Sequence, residues 1–157
     1  YLYNYLNFDW KEIGLIFTIM LLPFVLIQFP LGKYSDKFGE RKMLMLGFLI
    51  SSIATLTLFF TTAHSVMVWA SLLFITRTGA ATIEVMSDVH FFKHIKPENE
   101  EYVGVYRTSS PFAYILGPIF AFLVFMVVPS FNYIFLILGT LMLWGIYLSS
   151  TIRRNDI

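Results

Sequence analysis

Three ionisable residues, Arg77, Glu84 and Asp88, lie within one long apolar stretch and are the first candidates for chemistry. At about 100° per residue, positions i, i+7 and i+11 of an α-helix lie within roughly 40° of one another, so the three side chains share a face. If the helix begins near Val66 at a membrane surface, Arg77 lies about 17 Å below that surface. An ionised group at that depth costs several kcal/mol unless it meets a partner or a water-filled cavity.

Two interpretations of this face are open. In the first, Arg77 forms a structural ion pair, with Glu84 or with a helix outside this chain, and Asp88 lies at the membrane interface. In the second, the three residues line a cavity, where Arg77 binds substrate or acts as a counter-charge and a carboxylate carries a proton. The second interpretation predicts a transport function.

Two histidines, His90 and His94, lie four residues apart beside Asp88, which is a spacing found in metal sites. A zinc site needs further ligands, and the sequence indicates none. His90 also lies about 140° around the helix from Arg77. We therefore predict no metal site. A membrane-embedded enzyme that uses both histidines with Glu84 and Asp88 at the cytoplasmic interface is an alternative function, and a transport-inactive scaffold is another.

A third group of charged residues occupies a short turn between two uncharged runs. The turn contains Gly32, Lys33, Asp36, Lys37, Gly39, Glu40, Arg41 and Lys42. Glycine in such a turn permits a sharp change of direction or a close approach of two helices. The cations alone can set the orientation of the chain in a membrane. Alternatively, Asp36 accepts hydrogen bonds from a helix N-terminus or an arginine and latches one conformation.

The turn resembles the signature loop of the major facilitator superfamily of secondary transporters, Gly-x-x-x-Asp-(Arg/Lys)-x-Gly followed by basic residues. The pattern falls on Gly32, Asp36, Lys37, Gly39, Arg41 and Lys42. Tyr34 stands where the family usually has Leu, and Glu40 stands where it usually has a cation. The resemblance implies a carrier that works by alternating access, with this loop as its conformational latch.

A second, partial resemblance lies at Arg77. An arginine followed by Gly79, Ala80 and Ala81 looks like the family's fourth-helix pattern, although the family normally spaces its arginine and glycine three apart rather than two. The resemblance implies that this helix lines the central cavity. Small residues beside the arginine also favour close packing between membrane helices.

The next helix carries a third resemblance, on a stripe of polar and small residues that includes Arg107, Ser110 and Tyr114. Gly117 and Pro118, flanked by alanines, resemble a degraded form of the family's fifth-helix pattern, which has glycine where these alanines stand. The intact pattern is associated with antiporters, so its erosion argues against antiport. The stripe also suits a packing face with a proline kink between helices that slide. Arg107, about one turn from the cytoplasmic end, can extend its charge to the interface.

Long apolar runs position these residues. Of the 157 residues, 57% are hydrophobic and 13% are charged, which is too apolar for an ordinary soluble domain and predicts an all-α, polytopic transmembrane helix bundle. Asp9 and Glu12 form a capping-box pattern at the start of the first helix, and Ser65 is a candidate N-cap for the third. The helices are expected at about 10–32, 42–61, 66–92, 102–128 and 133–152, each long enough to span a core of about 30 Å.

The cations predict the orientation of these five spans. Lysines and arginines lie in the turns at 33–42, 93–101 and 153–154, whereas the turns at 62–65 and 129–132 hold none. By the positive-inside rule, residue 1 is outside and residue 157 is cytoplasmic. A half-domain of the family has six helices, so the chain is expected to be a partial half lacking its first helix, with a slight preference for the C-terminal half.

We therefore expect a secondary active transporter of the plasma membrane that moves a small molecule around a midplane site. Its expected partners are the lipid bilayer and the missing helix and other half of the carrier. Cysteine is absent, and neither a phosphate-binding glycine loop nor a Ser-His-Asp arrangement is visible, so we predict no enzymatic activity and no cofactor. A net charge of +1 gives no indication of nucleic-acid binding.

Overall fold

The computed structural model describes residues 1–27, 30, 31, 33, 38–96 and 101–152. These residues form five α-helices and no strand, which confirms the predicted all-α fold class. The helices are α1 (Trp10–Leu26), α2 (Glu40–Phe60), α3 (Val66–His94), α4 (Glu101–Val127) and α5 (Tyr133–Ser150). Successive helices alternate in direction, so the chain turns at two opposite ends of a bundle.

Four of the helices, α2 to α5, are long and apolar enough to cross a membrane. The first helix is shorter, with 17 residues, and ends at Leu26 rather than near residue 32. Pro30 has no N–H to donate to the carbonyl of Leu26, which interrupts the helical hydrogen bonding. Beyond it, the amide of Leu31 again bonds the carbonyl of Ile27 at 3.1 Å.

The centre of the bundle is α2, which packs against α3 on one side and α5 on the other. Two adjacent serines, both fully buried, connect it to these neighbours. Ser51 donates its hydroxyl to the carbonyl of Thr76 on α3 at 3.1 Å, and Ser52 donates to the carbonyl of Gly139 on α5 at 2.8 Å. Such bonds between membrane helices contribute about 0.6 kcal/mol each on average.

Glycine allows α2 and α3 to pack this closely. A Cβ atom on Gly79 would lie only 2.7 Å from the carbonyl oxygen of Gly47 and the amide nitrogen of Ser51. Both neighbours are backbone atoms, which cannot rotate away as a side chain can. The predicted role of the small residues after Arg77 in close helix packing is therefore confirmed at this position.

One end of the bundle, the His64 end, consists of residues 1–9, 61–65 and 128–132. Asp9 and Glu12 form the predicted capping box, with the amide of Glu12 donating to Oδ1 of Asp9 at 2.7 Å. Ser65 occupies the predicted N-cap of α3, although its side chain makes no capping hydrogen bond. Phe8 stacks on His64 with ring centroids 4.4 Å apart, so the N-terminal segment folds over this end. Burial raises the pKa of the Tyr1 hydroxyl here.

The fourth helix lies at the edge of the bundle. None of its residues is buried, and all of residues 107–120 are exposed. Its ring contacts lie near its two ends, where Tyr106 stacks on Phe91 and Phe125 stacks on Phe131. The middle of α4 is therefore not covered by the part of the chain that the structure describes.

Candidate functional site

The predicted face of Arg77, Glu84 and Asp88 lies on α3, which is one continuous helix from Val66 to His94. Arg77 is half-buried, and both carboxylates are exposed. The hydroxyl of Tyr106 on α4 donates to Oδ1 of Asp88 at 2.8 Å. The face is therefore directed toward α4.

Arg77 has no ionic partner among the residues for which the structure gives positions, because no carboxylate there lies within 4.0 Å of its guanidinium nitrogens. Glu84 is two helical turns from Arg77, which is a rise of about 10.5 Å along the helix axis. This separation is too large for the two side chains to form a direct ion pair. The interpretation in which Arg77 pairs with Glu84 is thus not realised in this structure. Pairing with a group outside the described residues, or with a solute, stays open.

The stripe predicted on α4 lies on exposed surface. Arg107, Gly117 and Pro118 are exposed, and Tyr114 keeps 80% of its surface accessible. A Cβ atom on Gly117 would meet no heavy atom within 4 Å. Nothing in the described residues packs on this stripe. That the stripe packs against another helix therefore stays a prediction.

The predicted latch loop is described only in part, since Gly32, Asp36 and Lys37 lie outside the described residues. Gly39 is the N-cap position of α2 and has a φ of +81°, a left-handed conformation that favours glycine. Arg41 is half-buried and Lys42 is exposed in the first turn that follows. The requirement for glycine at the last position of the Gly-x-x-x-Asp-x-x-Gly pattern therefore has a conformational cause.

A cluster around Glu40 joins the start of α2 to the end of α3. Nδ1 of His90 donates to Oε2 of Glu40 at 2.8 Å, and Nζ of Lys93 lies 2.8 Å from Oε1. The Glu40 side chain is only 12% exposed. A carboxylate in the first turn of one helix and an ammonium in the last turn of another also match the dipoles of both helices. This region, with the neighbouring ends of α4 and α5, is called the Glu40 end.

The sequence did not indicate that Glu40 would contact His90, because the two residues are 50 positions apart in the chain. One feature of the sequence could have indicated a special role for Glu40: it stands at a position of the loop pattern where a cation is expected. A cation there would stand beside Lys93, whereas a carboxylate forms a pair with it.

The residues of the enzyme alternative fall into two separate sets. Asp88 is bonded to Tyr106 of α4, whereas His90 is bonded to Glu40 of α2. His94 donates from Nδ1 to the backbone carbonyl of His90 at 2.7 Å. The structure thus directs Asp88 toward α4 and His90 toward α2.

Comparison with known proteins gives one match. The family model described as Major Facilitator Superfamily matches residues 1–156, which is almost the whole chain. No curated protein and no solved structure matches significantly.

Proposed function

This chain belongs to the major facilitator superfamily of membrane transporters, and from that premise we propose that it forms part of a secondary active carrier for a small solute. The carrier works by alternating access, in which two bundles of helices rock around a site near the midplane. Under this proposal, the chain supplies five helices of one half of the carrier. The sixth helix of that half and the whole of the other half come from outside this chain. The members of the family are transporters, not enzymes.

The observation that carries the proposal is the position of Arg77. It is half-buried on an apolar helix and shares a face with two exposed carboxylates, and the described residues offer it no ionic partner. An unpaired cation inside a membrane is costly unless water, a counter-charge or a solute reaches it. A water-filled passage along this face meets that requirement.

We assign roles on this face by charge. Arg77 binds an anionic group of the solute or serves as a counter-charge, and Glu84 or Asp88 carries a proton. A carboxylate suits the last role because it accepts and releases a proton as the passage opens to one side or the other.

The remaining assignments concern orientation and the rest of the carrier. The Glu40 end is cytoplasmic in the plasma membrane and residue 1 is outside, because four described cations lie at the Glu40 end: Arg41, Lys42, Lys93 and Lys96. Asp36 and the loop around it latch one conformation. The exposed stripe of Arg107, Tyr114, Gly117 and Pro118 packs against the remainder of the carrier.

The test is an uptake assay with a panel of anionic, neutral and cationic solutes, using the intact protein in proteoliposomes with and without an imposed proton gradient. Uptake of one class of solute above protein-free vesicles is expected, with a rate that depends on the gradient. An uptake rate that does not depend on the proton gradient would contradict the proton-carrying role of Glu84 or Asp88. No uptake of any solute by correctly inserted protein would contradict the carrier function.

A further inference from the structure

Three side chains of metal-binding type meet at the Glu40 end. One ligand atom from each of Glu40, His90 and His94 lies within 4.8 Å of the other two. The shortest separation, between Oε2 of Glu40 and Nδ1 of His90, is 2.8 Å. Tetrahedral bonds of about 2.0–2.2 Å hold ligand atoms roughly 3.3–3.6 Å apart, and these separations lie between 2.8 and 4.8 Å. Small side-chain rotations would therefore bring the three atoms around one ion.

We propose that Glu40, His90 and His94 bind one divalent transition-metal ion of the zinc type, which connects the start of α2 to the end of α3. From the sequence alone we predict no metal site, because it indicates no ligand beyond the two histidines. The fold supplies Glu40 as the third ligand. This inference does not depend on the proposed transport function.

The ligand types select the kind of ion. Two imidazoles and one carboxylate are typical of zinc and similar transition metals, and three protein ligands leave a fourth position for water. Ca²⁺ and Mg²⁺ prefer a set of oxygen ligands, which this cluster does not offer. The site should therefore discriminate strongly against both of these ions.

The surrounding structure orients the ligands. His90 and His94 are four residues apart, so both project from the same side of the last turn of α3. Lys93 bonds Oε1 of Glu40 at 2.8 Å, and Oε2 of the same carboxylate faces the histidines. A carbonyl can only accept a hydrogen bond, so Nδ1 of His94 carries the hydrogen in its bond to the carbonyl of His90, and the lone pair is on Nε2.

An ion would replace the hydrogen bond between His90 and Glu40. When Nδ1 of His90 binds the ion, the neutral ring carries its hydrogen on Nε2 instead. The carboxylate then bonds the ion through Oε2 and keeps its contact with Lys93 through Oε1. His90 lies about 140° and His94 about 100° around α3 from Arg77, so the ion is separate from the face proposed for solute and protons.

Equilibrium dialysis of the intact, detergent-purified protein against Zn²⁺, with bound metal measured by mass spectrometry, tests the site. One ion per chain is expected, in the presence of excess Mg²⁺. Glu40→Gln, His90→Ala and His94→Ala should each weaken binding about tenfold or more. His64→Gln is the matched control, because this histidine lies at the opposite end of the bundle, and it should bind as the unaltered protein does.

Binding that is equal in His90→Ala and the unaltered protein, or no stoichiometric binding at all, would overturn the inference. A second measurement avoids variants that fail to fold. Co²⁺ bound to the unaltered protein should give the strong visible absorption of a four-coordinate ion. The weak absorption of six-coordinate Co²⁺ would show a surface-bound ion only and would also overturn the site.

Discussion

The hydroxyl of Tyr106 on α4 donates a hydrogen bond to Asp88 on α3 at 2.8 Å, and this bond attaches the outermost helix of the bundle to the helix that carries Arg77. The Tyr106 ring also stacks on Phe91, with centroids 4.0 Å apart and ring planes 6° from parallel. Since residues 107–120 of α4 are all exposed, much of what holds this end of α4 in place comes from one side chain.

Tyr106→Phe should therefore weaken the attachment of α4 while keeping the stacked ring. Loss of one hydrogen bond to a charged acceptor is expected to lower the free energy of unfolding by about 1 kcal/mol, within the range known for membrane helices. Thermal unfolding of the purified protein in detergent measures this change. Tyr102→Phe is the matched control, because Tyr102 is exposed one turn earlier on the same helix. An equal effect of both variants would show that the bond to Asp88 contributes nothing.

Gly79→Ala should destabilise the bundle, because the added methyl group would press on backbone atoms of α2 that are 2.7 Å from its position. Overpacking of this kind costs typically 1–3 kcal/mol. Gly104→Ala, on the exposed side of α4, adds the same methyl group where no heavy atom lies within 4 Å. That control should be neutral or stabilising by up to about 1 kcal/mol, since alanine favours a helix. A Gly79→Ala variant that unfolds at the same temperature as the unaltered protein would contradict the close packing of α2 on α3.

Local pattern was sufficient to predict part of this structure. The capping box of Asp9 and Glu12, and the common face of Arg77 and Asp88, depend on residues within about three turns of one helix. Such features follow from helical geometry alone. The all-α fold class followed from the length and apolarity of the runs between charged turns.

Tertiary pairing was not predictable in the same way. Nothing in the local sequence indicates that Glu40 meets His90, because the contact depends on how α2 and α3 pack around Gly47 and Gly79. The exposure of α4 was also unexpected, since its apolar and small residues suggested a packed helix. Whether a helix is covered depends on partners that its own sequence does not identify.

Gly39→Ala should disturb the start of α2, because the φ of +81° at this position is unfavourable for a residue with a Cβ atom. The expected cost is about 1–2 kcal/mol. Thermal unfolding measures it, and Gly14→Ala in α1 serves as the control, since no heavy atom lies within 4 Å of its added methyl group. A cost shared equally by the two variants would argue against a conformational requirement for glycine in the loop.

Asp36→Asn should reduce transport severalfold in the intact protein without lowering its abundance in the membrane, if Asp36 latches one conformation. The neutral amide keeps the shape of the carboxylate but is a weaker acceptor for an arginine or a helix N-terminus. Uptake and membrane abundance are measured on the same cells. Lys33→Gln changes an exposed charge at a variable position of the pattern, which the family does not specify, and should transport normally. An unchanged rate for Asp36→Asn would remove the latch assignment.

Arg77→Gln should reduce uptake in proteoliposomes about tenfold or more, because hydrogen bonds to a charged group contribute about 1.5–3 kcal/mol and 1.4 kcal/mol is a factor of ten. Arg77→Lys keeps the charge and should lose less. Thr78→Ala is the control on the same helix, since the Thr78 hydroxyl bonds the carbonyl of Phe74, one turn back in α3 itself. If Arg77→Gln transports as well as Thr78→Ala, the guanidinium neither binds the solute nor balances its charge. The positive charge of Arg77 would then have a purely structural partner elsewhere in the carrier.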